Sequence, residues 1–146
     1  MNTPADTINI SILINTPVHE VWNAWTDSAT ISQWFGSDPN GKVLDAKLDV
    51  RPGGKFEISF ANADEAEFTC SGVYAEVREF TKLSFTWSWK NEPGVESFVT
   101  VLFAPEENKT RMKFQHAHVG TASQHDYGIG WRSTFLKLEK VLEKKN

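Results

Sequence analysis

The segment VWNAWTDSATISQWFG, residues 21–36, carries three tryptophans and one phenylalanine. Its apolar residues recur at helical spacing, first in a stripe with two of the tryptophans and then in a second stripe with Trp34 and Phe35. Asp27 or Ser28 is expected to begin the second, shorter helix, and Gly36 is expected to end it. Because large aromatic side chains are seldom left in water, these helices should cover an extensive apolar surface formed elsewhere in the chain.

That surface is predicted on both sides of the segment by alternation of apolar and polar residues. Before it, residues 8–14 place an isoleucine at every second position, which is typical of a half-buried strand. After it, alternation continues through residues 46–118, interrupted by turn signals such as RPGG at 51–54 and NEPG at 91–94. The strand around residues 95–103 is expected to be apolar on both faces. The inward face of the sheet is rich in rings, namely Phe56, Phe60, Phe85, Trp87, Trp89 and Phe114.

A long helix is predicted at the C-terminal end, from about Ala122 to Lys144. Its core-facing stripe consists of Trp131, Phe135, Leu138 and Leu142. Gly128 and Gly130 are unusual there, since each costs about 1 kcal/mol relative to alanine inside a helix. They indicate either side-chain volume removed to leave a cavity or a close approach of helix and sheet. The predicted fold class is therefore α+β, with an antiparallel sheet covered by the C-terminal helix.

Length, charge and cysteine content exclude several classes of protein. The chain has 146 residues, which predicts one domain over 1–146. A net charge of −4 and a pI near 5.5 argue against nucleic-acid binding, which needs clustered Lys and Arg. The single cysteine, Cys70, permits no intrachain disulfide and is expected to be a buried, unreactive thiol. No secretory signal and no apolar run of about 20 residues is present, so a cytoplasmic location without membrane insertion is expected.

The predicted order of elements resembles the START-like helix-grip superfamily (SRPBCC), and within it the homologues of the activator of heat-shock-protein-90 ATPase. The resemblance covers residues 8–142. It is carried by TPVHEVWNAWTD running into ISQWFG, by DVRPGGKFEISF and by the Gly130-Trp131 pair. It implies a curved antiparallel sheet of about seven strands wrapped around the C-terminal helix, with a cavity between them. Members include lipid and hormone carriers, polyketide cyclases and co-chaperone domains.

A small apolar molecule is the predicted ligand of that cavity, because the inward face is larger than one helical stripe can cover. The geometry of the family implies that Trp34 and Phe35 close its mouth, whereas the two earlier tryptophans should pack the first helix on the sheet. The predicted ligand-binding residues are Trp34, Phe35, Phe56, Phe85, Trp87, Phe114, His116, Tyr127, Trp131 and Phe135.

Histidines raise the questions of acid–base chemistry and of metal binding. His116 continues the inward face of its strand, where it either makes a satisfied buried hydrogen bond or contributes to the pocket. His118 is expected on the same face, and with His125 the pair could seed a metal site. No cysteine or carboxylate stands at ligand spacing, so neither a metal nor another cofactor is expected.

Three functions remain open from the sequence. Binding of a small hydrophobic molecule ranks first. A protein-interaction module comes second, with a heat-shock protein as partner and a surface around His19, Glu20 and Gln33. An enzyme of cyclase, dehydratase or hydrolase type comes third, with His116 and then Tyr127 as the acid–base groups.

Overall fold

The computed structural model describes residues 6–92, 94–120 and 124–143 of the chain. In them one strand is followed by two short helices, six strands and a long helix, as predicted. The elements are β1 (Ile8–Ile14), α1 (Val18–Thr26), α2 (Ser28–Ile31), β2 (Lys42–Leu48), β3 (Lys55–Ala61), β4 (Glu67–Arg78), β5 (Lys82–Trp89), β6 (Ser97–Glu106), β7 (Lys109–Ala117) and α3 (Gln124–Glu143). The predicted ends of the last helix, Ala122 and Lys144, lie outside the described residues. None of the described helices combines the length and the apolar character needed to cross a bilayer.

The seven strands form one antiparallel sheet in the order β1-β7-β6-β5-β4-β3-β2. Consecutive strands from β2 to β7 are neighbours, and β1 joins the far edge by pairing with β7, where Ile10 lies opposite Phe114. The helices α1, α2 and α3 lie against one face of the sheet and complete the core. This arrangement confirms the predicted α+β helix-grip fold.

The connection through α2 follows the signals in its sequence. The carboxylate of Asp27 accepts hydrogen bonds from the Thr30 amide at 3.0 Å and from the Thr30 hydroxyl at 2.7 Å, which caps the helix as predicted. The α-helical part is shorter than expected and ends at Ile31. The chain then continues in turns to Gly36, whose φ of +108° is a conformation that glycine adopts without a steric penalty.

The pairing of β4 with β5 is irregular around Gly72. A Cβ atom added at Gly72 would lie only 1.9 Å from the backbone oxygen of Thr86, so the two strands approach too closely for any side chain there. The Val73 amide bonds the Thr86 hydroxyl at 2.8 Å, and the register shifts just beyond, between Tyr74 and Glu76. A local break in a ladder increases the twist and bend of a strand.

Burial alternates along β6, although apolar residues stand on both of its faces as expected. Val99 and Val101 are fully buried on the inner face, whereas Leu102 on the outer face is 41% exposed. None of the described helices covers the outer face, so this strand also follows the pattern of a half-buried sheet.

Candidate functional site

Aromatic rings fill the centre of the space between the sheet and α3. The ring of Trp25 lies 4.9 Å from that of Trp34, 6.3 Å from that of Phe114 and 6.1 Å from that of Phe135. Trp22 packs edge-on against Phe103 of β6 at 5.4 Å. The two tryptophans of α1 therefore attach that helix to the sheet, as predicted, and Trp25 occupies volume that a ligand would otherwise need.

A cavity of about 260 Å³ remains at one end of this space, beneath the first half of α3. An adjoining recess of about 320 Å³ shares Ser37, Phe60, Trp89 and Glu92 with it. The cavity is slightly smaller than the common range of small-molecule pockets, about 300–1,000 Å³, and together the two spaces fall within it. The walls of the cavity are Phe35, Gly36, Ser37, Phe60, Trp87, Trp89, Glu92, Asp126, Tyr127, Gly130, Trp131 and Thr134.

The ten predicted ligand-binding residues are distributed over three environments. Phe35, Trp87, Tyr127 and Trp131 line the cavity. Phe56 and Phe85 instead line a space of only about 10 Å³, which is no larger than one water requires. The remaining residues line neither space, and they are Trp34, Phe114, His116 and Phe135.

Packing explains why Trp34, Phe114 and Phe135 lie away from the cavity. Trp34 is fully buried, and its indole N–H donates to the backbone oxygen of Ala24 in α1 at 3.0 Å. Phe114 and Phe135 contact each other at 5.0 Å. The ring of Trp131 lies 4.5 Å from Phe114 and 5.6 Å from Phe135, and it stands between them and the cavity. These three side chains therefore hold the walls in place and do not form them.

His116 is buried with both ring nitrogens engaged. The indole N–H of Trp131 donates to Nδ1 at 3.0 Å, and Nε2 lies 2.7 Å from the hydroxyl oxygen of Ser97. An indole nitrogen can only donate, so Nδ1 is the acceptor and the proton of the neutral ring is on Nε2. The Ser97 hydroxyl in turn donates to the backbone oxygen of Trp87 at 3.4 Å. Burial lowers the pKa of His116 to about 3, which keeps the ring neutral.

His118 does not share the face of His116, which corrects the expected H-x-H pair. The strand ends at Ala117, and His118 has a φ of +64° with its side chain exposed, so the alternation is lost. The side chain of His125 lies outside the described residues. In the described part of the chain no group of three His, Cys, Asp or Glu side chains is placed to hold a metal ion. Cys70 is buried as expected, and burial raises the pKa of its thiol.

The cavity has one polar end, formed around the hydroxyl of Tyr127. The Nε1–H of Trp89 donates to this oxygen at 2.6 Å, and the two rings are nearly parallel. Burial raises the pKa of Tyr127 and the charge of Glu92 raises it further, whereas the hydrogen bond from the Trp89 indole and the nearby Trp87 N–H, which lies outside hydrogen-bond geometry, lower it. The net direction is upward, so the phenol keeps its proton at neutral pH.

Two hydrogen-bond donors at this end have no acceptor among the residues that the structure describes. Nε1 of Trp87 is buried and has no partner in hydrogen-bond geometry among the described residues. The hydroxyl hydrogen of Tyr127 likewise has no acceptor in the described part of the chain, since this oxygen only receives the bond from Trp89. Tyr127 and Trp87 therefore present donors to the cavity, whose wall also carries the carboxylates of Glu92 and Asp126.

The two helical glycines have different surroundings. A Cβ atom at Gly128 would meet nothing within 4 Å, so close packing of helix and sheet does not explain this residue. A Cβ atom at Gly130 would lie 3.5 Å from Cβ of Ser37, which is ordinary contact. Gly130 lines the cavity, so the absence of a side chain there keeps space open below α3.

Several cavity residues were not among the predicted ligand contacts. Phe60 and Trp89 face inward, as the alternation in their strands predicts. They were not selected as ligand contacts from the many inward-facing rings. Glu92 lies in the turn after β5, and Asp126 lies in the first turn of α3. The path of the chain in a turn and at the start of a helix places them at the cavity, and the spacing of residues in the sequence does not predict that path.

Comparison with known proteins gives a family and a set of similar structures. The sequence model of the family described as Activator of Hsp90 ATPase homolog 1-like protein matches residues 15–143. Protein NE0264 from Nitrosomonas europaea is 21% identical, covers 100% of this chain and 99% of its own, and has a TM-score of 0.85. No curated protein matches the chain.

Two further solved structures share the fold. The AHSA1-like protein from Aeromonas hydrophila is 24% identical, with 94% of each chain covered and a TM-score of 0.79. CalU16 from Micromonospora echinospora is 26% identical, with 97% of this chain and 81% of that chain covered and a TM-score of 0.72. At these identities the similarity supports the architecture and does not identify a ligand.

Proposed function

The chain belongs to the Activator of Hsp90 ATPase homolog 1-like protein family, and from that premise we propose that it binds a small, mainly apolar molecule. The carrying observation is a cavity of about 260 Å³ among six aromatic rings, in a molecule whose centre is otherwise closed by ring contacts. A largely apolar cavity with a few convergent polar groups is typical of small-molecule sites.

The size of the cavity sets the affinity expected for simple probes. A one-ring or two-ring compound buries about 150–250 Å². At about 25 cal/mol per Å², this burial contributes roughly 4–6 kcal/mol. The loss of translational and rotational freedom opposes it. Simple aromatic probes should therefore bind with dissociation constants near or above about 1 mM, and a natural ligand that also fills the adjoining recess should bind more tightly.

The direct test is a native mass spectrum of the protein purified from its own host, compared with its denatured mass. An additional mass that is lost on denaturation would support the proposal and make the ligand available for identification. A native mass equal to that of the bare chain would count against a tightly bound ligand.

A matched pair of variants locates the binding. Gly130→Leu places a side chain in the wall of the cavity, whereas Gly128→Leu adds the same side chain where no atom lies within 4 Å. The additional mass should be lost or strongly reduced in the first variant and kept in the second. Equal retention by both variants would place the ligand elsewhere.

A protein-interaction function is the second candidate, because a surface recess of about 500 Å³ opens beside α1. Its walls are His19, Glu20, Trp22, Asn23, Thr26, Glu79 and Phe80. Phe80 is 39% exposed at a φ of +64°, and its ring meets that of Trp22 at 6.3 Å. The predicted surface residue Gln33 is exposed but does not line this recess.

Purified heat-shock protein 90 from the same cells is the partner to test. Retention at micromolar concentration that is lost in Phe80→Ser would support this function. Leu136→Ser, which changes an exposed side chain on α3, serves as the control. No retention of the unchanged protein would count against it.

The acid–base role considered for His116 has little support from the geometry. Both ring nitrogens are occupied by Trp131 and Ser97, and the ring does not line the cavity. Of the two acid–base groups considered, Tyr127 is the one that lines the cavity, where the carboxylates of Glu92 and Asp126 also lie.

A further inference from the structure

The hydroxyl of Tyr127 and the indole N–H of Trp87 can donate hydrogen bonds into the cavity. The Tyr127 oxygen already accepts the Nε1–H of Trp89 at 2.6 Å, so this group is committed as an acceptor while its own hydrogen is available. A hydrogen bond received by a hydroxyl polarises it and strengthens the bond that it donates. The buried Nε1–H of Trp87 beside it has no partner among the described residues, which is an unfavourable state for a buried donor.

The charges around the cavity select against an anion. Glu92 and Asp126 both line it, and the charge of Glu92 acts on the Tyr127 hydroxyl. The ammonium group of Lys137 lies near Gly36 of the cavity wall, where it donates to the backbone oxygen of Asp38 at 2.9 Å and is attracted by the carboxylate of that residue. A carboxylate ligand would meet two like charges, and none of the described residues that line the cavity is a cation.

The remaining walls are rings. Phe35, Phe60 and Trp131 also line the cavity, and the ring of Trp131 lies 5.3 Å from that of Trp87. Such walls favour a flat aromatic body over a flexible alkyl chain, because offset and edge-to-face contacts between rings add to the burial of area.

We propose, on the basis of the binding function above, that the cavity selects neutral aromatic compounds that carry a carbonyl group. The carbonyl oxygen accepts the hydrogen bond of the Tyr127 hydroxyl, with the Trp87 N–H beside it as a second donor, and the aromatic body lies among the rings. Carboxylates of the same size are excluded by Glu92 and Asp126.

Three probes of nearly equal shape test this selectivity. Acetophenone has the carbonyl, α-methylstyrene replaces its oxygen by a CH₂ group, and benzoate carries a negative charge. Binding is followed by the indole N–H signals of Trp87, Trp89 and Trp131 in proton–nitrogen correlation spectra, and the signal of Trp22 in α1 serves as the internal control.

The expected result is a graded order of affinities. Acetophenone should bind roughly three- to tenfold more tightly than α-methylstyrene, the gain typical of one net hydrogen bond. Benzoate should bind at least about tenfold more weakly than acetophenone because of like-charge repulsion, and Glu92→Gln combined with Asp126→Asn should narrow that difference. Tyr127→Phe should bring the ratio of the acetophenone and α-methylstyrene affinities close to one.

The outcomes separate this inference from the binding function. Equal affinities for acetophenone and α-methylstyrene, with shifts at the three cavity tryptophans, would overturn the inference and leave the binding function standing. Tight binding of benzoate would overturn it as well. No shift with any probe would count against both. If Tyr127→Phe does not fold, the comparison of the three probes on the unchanged protein still tests the proposed selectivity.

Discussion

His116 shows how a single residue can be ionisable and still serve only the core. Its Nδ1 accepts from Trp131 and its Nε2–H donates to Ser97, so protonation would break the first bond and leave a charge in an apolar layer. The residue that looked most catalytic in the sequence therefore acts as a hydrogen-bonded link between β7, β6 and α3.

The stability of the protein should fall on mild acidification because of this residue. The pKa of His116 is about 3 in the folded chain against 6.5 for the free side chain. Between these values the unfolded chain binds one more proton, so the free energy of unfolding should decrease by about 1.4 kcal/mol for each pH unit below 6.5. The loss continues until the pH falls through the folded pKa.

Urea unfolding at about pH 7 and about pH 5 measures this slope. His116→Gln is the control, because its amide can accept from Trp131 and donate to Ser97 without titrating. The unchanged protein should lose about 2 kcal/mol more than the variant over this interval. Equal losses would show that His116 is not kept neutral by the fold.

At the level of the elements, two glycines lower the stability of α3, and one of them, Gly130, keeps space open in the cavity. Alanine is about 1 kcal/mol more favourable than glycine inside a helix. Gly128→Ala and Gly130→Ala should therefore each stabilise the protein by up to about 1 kcal/mol, since neither Cβ atom meets a close contact. Thermal unfolding of the two variants checks this, and destabilisation by either one would contradict the contact distances.

The close approach of β4 and β5 predicts that replacement of a glycine by alanine destabilises the protein at Gly72. Gly72→Ala would place a Cβ atom 1.9 Å from the Thr86 oxygen and 2.7 Å from the ring of Phe56. Because the first of these atoms belongs to the backbone, a strand has to move, and the cost should reach about 3 kcal/mol or more. Urea unfolding measures it, with Gly53→Ala as a comparison in which the new Cβ meets no atom within 4 Å and only the positive φ opposes the change.

The elements were predictable from the sequence because each depends on a local pattern. Periods of two and of 3.6 residues and the Asp27 cap are short-range signals that the structure follows, whereas α2 ends at Ile31, before the Gly36 that was expected to end it. His118 was misplaced because a single residue at positive φ ends the alternation, and nothing in the sequence Gln115-His116-Ala117-His118 marks that point.

The cavity was less predictable because it depends on how far each side chain reaches into the core as well as on the face from which it points. Phe85, Trp87 and Phe114 all point inward, but whether each meets a ligand depends on how far Trp25 reaches in from α1 and on where Trp131 stands. Those positions result from the packing of α1, α3, β5 and β7. The alternation of residues along a strand carries no information about that packing.

At the level of the whole molecule, the shared aromatic cluster predicts cooperative unfolding. Trp25 alone contacts rings from α3, β5 and β7, so no part of the core is independent of another. The one-domain prediction then requires a single transition, with secondary structure and aromatic packing lost together. Far-ultraviolet and near-ultraviolet circular dichroism recorded on the same samples measures both, and separate midpoints would contradict it.

The spacing of the indole rings also has an optical consequence. Trp25 and Trp34 are 4.9 Å apart, and Trp87 lies 5.3 Å from both Trp89 and Trp131. At such separations the excited states of neighbouring indoles mix, and their exciton bands overlie the backbone signal in circular dichroism. Helix content read from that signal alone will be distorted, whereas the bands of the Trp87 pairs will change whenever an occupant of the cavity reorients its walls.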